Sequence, residues 1–141
     1  MPTTLDPSTD AGAAALGRLD TELIGWLTTV NPDGQPQASP IWFLWVDGEL
    51  LLYSWKRAPR NDNVVDRPLV AFNLATDAKG DAVVTAEAVA RIVPDEPPAT
   101  VNEPYLAKYG AMLDEYEWTP EYFAGEYPVA IRLRPTRWRL G

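Results

Sequence analysis

The chain has 141 residues, of which 46% are hydrophobic and 23% charged, and it carries a formal net charge of −8. That length predicts one domain able to bury a core. The acidic balance argues against nucleic acid and anionic membrane surfaces, which demand a basic footprint. The absence of Cys and His removes disulfides, thiolate zinc sites, cysteine nucleophiles and any Ser-His-Asp arrangement. An enzyme made from these residues therefore leaves the hard chemistry to a bound cofactor.

Residues 1–9, rich in Pro, Thr and Ser, read as a loose arm ahead of a single domain over 10–141. They lack the basic and apolar regions of a signal peptide. The longest apolar run, Ile41 to Val46, is far too short to span a membrane, so a cytoplasmic protein is expected. Asp10 can cap an Ala-rich helix from Ala11 to about Leu19. Glu22 to Val30 is β-branched and aromatic and predicts a strand. In Asn31-Pro-Asp-Gly34, Pro fixes one turn φ and Gly supplies a positive one. Gln35 to Val46 then returns as the antiparallel partner.

On that returning strand Pro40, Trp42, Leu44 and Val46 share one face, and Ile41, Phe43 and Trp45 share the other. Two apolar faces predict a strand buried on both sides. Pro40, having no N–H to donate, predicts an interruption at its own position. Asp47-Gly48 suits a type I′ turn, and Glu49 to Trp55 makes the third strand. Ala58 to Arg67 leads into about two helical turns, followed by strands over Leu69–Ala75 and Ala82–Val93. Ala99 to about Glu117 has helical character, with Pro104 near a helix start. Tyr105, Tyr109, Met112 and Tyr116 recur at helical spacing; they pack that helix on the sheet or line a substrate wall. Thr119 caps a further short helix with Pro120 in its first position. Tyr127 to Pro135 is the last strand, with Val129, Ile131 and Leu133 opposite Arg132 and Arg134. Short antiparallel strands with polar punctuation predict a mainly β fold, a small barrel with helices at its ends.

Eight of the twelve Lys and Arg residues fall in two groups: Lys56, Arg57, Arg60 and Arg67, then Arg132, Arg134, Arg137 and Arg139. The third strand runs straight into the first group. That group is either a solvated charged loop or a phosphate corner at a helix start. Asn63 joins the corner, caps the local helix, or does both. Thr28 and Thr29 can hydrogen-bond a bound ring, or are half-buried strand residues. No side chain is an obvious acid or base, which fits hydride transfer, where the protein binds, orients and excludes water.

Trp26-Leu-Thr-Thr-Val-Asn-Pro-Asp-Gly34, Pro36-Gln-Ala-Ser-Pro-Ile-Trp-Phe43, Leu51-Leu-Tyr-Ser54, Pro59-Arg60, Asn63 and Pro68-Leu-Val-Ala71 occur here in sequence. In this order and spacing they resemble the pyridoxamine 5′-phosphate oxidase-like split β-barrel family, and within it the coenzyme F420-dependent oxidoreductases. The resemblance implies an antiparallel Greek-key split barrel of about six or seven strands. It implies a homodimer with cofactor sites at the subunit interface. The flavin or deazaflavin ring would lie along Ser39, Pro40, Ile41 and Trp42, its edge bonded by backbone groups. The phosphate would sit by Tyr53, Ser54, Arg60 and Asn63. Lys56 and Arg57 would meet the anionic tail of the deazaflavin, or remain solvated. Trp138, with Arg137 and Arg139, would reach the partner's site or stay at the surface. The family usually has Lys where Arg60 stands; Arg keeps the charge and adds a planar fork for phosphate oxygens.

The implied activity is hydride transfer from reduced F420 to a small organic acceptor. Alternatives are an FMN-dependent oxidoreductase or oxidase on the same barrel, and a non-catalytic flavin or deazaflavin carrier. The substrate-binding set of pyridoxamine phosphate oxidase itself includes His, so it is incomplete here. A haem-degrading relative would lack a His axial ligand.

Overall fold

Seven strands form one antiparallel sheet: β1 (Gly25–Val30), β2 (Pro36–Ile41), β3 (Leu44–Val46), β4 (Glu49–Ser54), β5 (Leu69–Asn73), β6 (Val84–Ile92) and β7 (Val129–Leu140). Their order across the sheet is β2-β1-β5-β6-β7-β4-β3. Four helices flank it: α1 (Asp10–Thr21), α2 (Arg60–Asp66), α3 (Glu103–Glu115) and α4 (Pro120–Glu126). This computed structural model describes residues 2–141; Met1, the first residue of the expected arm, lies outside the described residues.

Only Trp42 and Phe43 separate β2 from β3, yet these two strands stand at opposite edges of the sheet. A link that short spans about 10 Å at most. The sheet must therefore curl until its edges meet at Trp42–Phe43 and diverge from there, a split barrel. The interior holds Leu27, Ile41, Phe43, Leu50, Leu52, Phe72, Leu133 and Trp138. A second apolar layer lies between the outer faces of β3, β4 and β7 and helices α3 and α4. It is built from Leu51, Tyr53, Tyr105, Tyr109, Phe123 and Ala130, with Trp42, Leu44 and Val46 packed against them. The two faces read from residues 41–46 thus go to two different layers.

The strand predicted over Gln35–Val46 is two strands, and its break lies at Trp42–Phe43 rather than at Pro40. Pro40 sits within β2 opposite Trp26. β2 is an edge strand and Pro36–Ala38 are exposed, so a missing N–H on its free side costs no ladder bond. The doubly buried strand is β4 instead, with Leu50 and Leu52 inside and Leu51 and Tyr53 under the helices. Thr9, not Asp10, caps α1, its hydroxyl accepting the Gly12 N–H at 3.0 Å. The helical stretch from Ala99 divides into a single 3₁₀ turn and α3, because Asn102 accepts the Tyr105 N–H and starts a new helix. Asp47 (φ 57°) and Gly48 (φ 70°) both have positive φ, as a type I′ turn requires. In the arm, Leu5 packs on the interior cluster and the Pro2 carbonyl accepts the Trp138 N–H at 2.8 Å.

The break itself is held by α3. The Tyr109 hydroxyl accepts the Phe43 N–H at 2.7 Å and donates to the Leu23 carbonyl at 2.7 Å. The Lys108 ammonium donates to the Phe43 carbonyl at 2.8 Å and lies 3.8 Å from the centre of the Phe43 ring. Both backbone groups of a fully buried residue, orphaned where the ladder stops, are thus satisfied by two consecutive side chains.

Burial pushes Lys108 down to about 8, with Asp20 and Glu22 acting the other way. Between about pH 8 and the ordinary lysine value near 10.4, the unfolded chain holds a proton that the folded chain has released. The contribution of Lys108 to stability therefore rises with pH across that window, and its burial cost is felt in full below it. Between about pH 7.5 and 9.5 the wild type is expected to gain about 1 kcal/mol relative to Lys108→Met, allowing for solvent screening. Denaturant unfolding of both proteins at the two pH values checks this.

Candidate functional site

A cavity of about 210 Å³ lies where β1 and β2 meet the start of α2, lined by Thr29, Asn31, Gln37, Ser39, Ala58, Pro59, Arg60 and Asn63. Pairing places it: Leu27 faces Ser39 and Thr29 faces Gln37 across the β1–β2 ladder, so Thr29, Gln37 and Ser39 share the inner face. The lining holds hydroxyls, amides and one guanidinium, and no carboxylate. Among the described residues Arg60 has neither an ion-pair partner nor a hydrogen-bond acceptor, and burial lowers its proton affinity. A desolvated cation without a counter-charge is costly, and an anion in this cavity would remove that cost.

Asn63 is buried and does not cap α2, whose N-cap is Pro59. Its Nδ2 donates to Asn31 Oδ1 at 2.9 Å, and its Oδ1 accepts from Arg67 at 3.2 Å. Arg67 also donates to the Val30 carbonyl at 2.8 Å. This network fixes the Asn31 amide at the cavity wall. Thr29, Asn31 and Gln37 were not singled out as phosphate ligands from sequence. The signal for Thr29 and Gln37 is strand parity: both lie an even number of residues from inward-facing Leu27 and Ser39.

The other expected site residues do not converge on Arg60. Ser39 and Ile41 point inward, Pro40 shares the outer face with Trp26, and Trp42 lies under the helices. A ring along the inner side of this stretch would meet the strand backbone and Ser39. The Tyr53 hydroxyl is spent on the Pro97 carbonyl (2.8 Å) and Asn102 (3.0 Å) within the outer layer. Ser54 is buried with its Oγ lacking a protein partner. Lys56 is ion-paired with Glu126, and Arg57 is exposed. Trp138 is an interior residue, 1% exposed and packed edge-on against Trp45. Alternation along β7 turns its neighbours Arg137 and Arg139 outward, into a 310 Å³ cleft with Asn73, Thr85 and Glu87.

A second cavity, about 230 Å³, opens beside the Trp42 break and is lined only by aromatic side chains: Trp42, Tyr116, Trp118, Phe123 and Tyr127. Trp42 stacks on Tyr109 with centroids 4.8 Å apart and planes 2° from parallel; Phe123 stacks on Tyr127 at 4.7 Å. Tyr127 is close enough to Arg60 for each charge state to influence the other.

A protein-family model described as pyridoxamine 5′-phosphate oxidase matches residues 12–140. The chain belongs to that family.

Solved structures agree on the oxidase-family fold. A conserved hypothetical protein from Mycobacterium tuberculosis is 26% identical, with a TM-score of 0.68 over 99% of this chain and 88% of its own. A structure described as an F420 reductase is 26% identical, with a TM-score of 0.63 over 87% of this chain and 94% of its own. A candidate pyridoxamine 5′-phosphate oxidase from Listeria innocua is 25% identical, with a TM-score of 0.63 over 91% and 95%. No curated protein matches the chain. The expected mainly β split barrel is the observed fold, and its seven antiparallel strands lie at the upper end of the expected number. Among the described residues no helix is long and apolar enough to cross a membrane. For this member of the oxidase family, the Arg60 cavity fits a phosphate-bearing cofactor: its hydroxyls and amides can donate, and among the described residues its one cation lacks a counter-charge.

Proposed function

We propose that the chain is an oxidoreductase that binds the deazaflavin F420 and passes a hydride to a small organic acceptor. The observation that carries this reading is the Arg60 guanidinium, half-buried and without a counter-charge among the described residues, in a cavity of hydroxyl and amide groups. Arg60 would hold the cofactor phosphate with Thr29, Gln37, Ser39 and Asn31, and Asn63 would hold Asn31 in place. When bound and reduced, the cofactor supplies the hydride; the chain supplies orientation and a water-poor wall. The likeness to an F420 reductase favours the deazaflavin, and FMN, which also carries a phosphate on its ribityl chain, is the second reading.

A homodimer is part of the proposal. The outer sheet face presents Trp26 (39% exposed), Leu69 (72% exposed), Pro40 and Ala71, an apolar strip beside Arg137 and Arg139, which a second copy would cover.

Titration of the purified protein with F420 and with FMN tests the reading. F420 is expected to bind with a Kd below about 100 μM. Binding of FMN alone would replace the deazaflavin by the second reading, and binding of neither would end both. A strictly monomeric protein in sedimentation at micromolar concentration would remove the dimer.

A further inference from the structure

The five side chains that line the aromatic cavity form a closed circuit around it. Between ring centroids, Trp42 lies 6.4 Å from Tyr116, and Tyr116 lies 4.9 Å from Trp118. Trp118 lies 6.2 Å from Tyr127, Tyr127 4.7 Å from Phe123, and Phe123 5.7 Å from Trp42. Helix packing alone does not require this. Tyr105, Tyr109 and Phe123 already seat α3 and α4 on the sheet, and all three are buried, whereas Tyr116 is 57% exposed. A Schellman arrangement beyond α3 closes the circuit: the Glu117 N–H donates to the Asp114 carbonyl (3.0 Å) and the Trp118 N–H to the Leu113 carbonyl (2.9 Å). Glu117 takes the left-handed position at φ 57°, where glycine is the usual occupant.

Shape and charge each narrow what such a cavity can hold. Successive ring planes differ by only 11° to 37°, so its walls form a slot suited to a flat ligand. Its 230 Å³ is below the roughly 300 Å³ at which drug-sized sites begin. A ligand at the centre of a five-ring circuit of this spacing lies within about 5 Å of each centroid, inside the roughly 6 Å reach of a cation–π contact. The segment that carries four of the five rings, residues 109–131, has no Lys or Arg and five carboxylates. Of these, Asp114, Glu115, Glu117 and Glu121 are exposed and, among the described residues, without an ion-pair partner. The fifth, Glu126, is paired with Lys56. Burial raises the proton affinity of Tyr127 most; of the two charged groups near it, Glu126 acts the same way and Arg60 the other. Those two oppose each other, and the four unpaired carboxylates leave the surrounding field negative.

We infer that this slot binds a flat organic cation of the amidinium or guanidinium class. Such a cation lays its delocalised plane against π faces, and the exposed carboxylates of the segment favour its charge. Its N–H groups can only donate, and the Tyr127 hydroxyl oxygen in the lining can accept one. The slot shares no lining residue with the Arg60 cavity, so the assignment stands apart from the choice of cofactor.

Equilibrium dialysis with benzamidine, and with benzamide as its flat uncharged counterpart, tests the assignment. The wild type is expected to bind benzamidine at least about tenfold more tightly than benzamide. Raising NaCl from about 0.05 M to about 0.5 M should weaken benzamidine about threefold and leave benzamide unchanged, because salt screens only the charged probe. Trp118→Ala should weaken benzamidine about tenfold while its F420 and FMN titrations stay at wild-type values. Tyr116→Ala, at an exposed position that keeps the fold safe, should weaken it about three- to fivefold. Equal binding of the two probes, or unchanged benzamidine affinity in Tyr116→Ala, would overturn the site. So would displacement of benzamidine by saturating F420 or FMN, which would put the probe in the cofactor site. Benzamidine binding that behaves as expected in a protein that binds neither F420 nor FMN would sink the proposed function and leave the slot standing.

Discussion

Arg60→Ala is expected to weaken cofactor binding by about 1.5–3 kcal/mol, or roughly 10- to 150-fold, the range for a lost charge-assisted hydrogen bond to phosphate. The cause is local. Lys56 is committed to Glu126 and Arg67 to the Val30 carbonyl and Asn63, so neither can substitute at the cavity. Arg57 is exposed on the loop before α2. The second half of the expected result separates a binding arginine from a structural one. Without cofactor, Arg60→Ala should melt no lower than the wild type, because Arg60 gives up hydration and receives no partner from the described residues. A calorimetric titration and a thermal melt of the same variant check both halves. Unchanged affinity, or a clear fall in melting temperature, would return Arg60 to an ordinary surface or structural role. Arg60→Lys should recover part of the affinity, since the charge stays while the planar fork is lost.

Tyr109→Phe should destabilise the fold by about 1–3 kcal/mol, the penalty for stranding buried polar groups, although the ring and its stacking on Trp42 remain. The Phe43 N–H has the Tyr109 hydroxyl as its acceptor, and Phe43 is fully buried. Water has no easy route to replace it. The Leu23 carbonyl also loses its donor, but Leu23 is 40% exposed and can be rehydrated. Urea unfolding should show the loss as a lower midpoint with an unchanged m value. An unaltered midpoint would mean that the strand break does not depend on α3.

Some of this was plain in the residues. Alternation over 41–46 sorted Trp42, Leu44 and Val46 from Ile41, Phe43 and Trp45, and both sets lie where a pleat of period two sends them. Asp47-Gly48 and Thr119-Pro120 announce their turn and helix start through local sterics alone, and both are as expected. The break at Trp42–Phe43 left no such mark. Both flanking stretches are apolar, and the partners that stabilise the break, Lys108 and Tyr109, come from 65 and 66 residues away. Arg60 was visible as a cation at a strand end. Thr29, Asn31 and Gln37 were not read as its companions because their meeting depends on the β1–β2 register and on where α2 docks. Trp138, expected with its arginines at the partner's site or at the surface, is buried because alternation along β7 turns it inward opposite Ala86.

The placement of β7 has a consequence for how the chain comes together. In chain order it follows every other strand, yet it lies between β6 and β4 in the sheet, matched with nine positions of β6 and five of β4. Until it is made, β3–β4 and the β2-β1-β5-β6 block are two separate sheets with open edges and no shared ladder. Assembly of this barrel is thus governed by contacts distant in sequence, which slow folding. The emerging chain displays raw strand edges to its neighbours on the way.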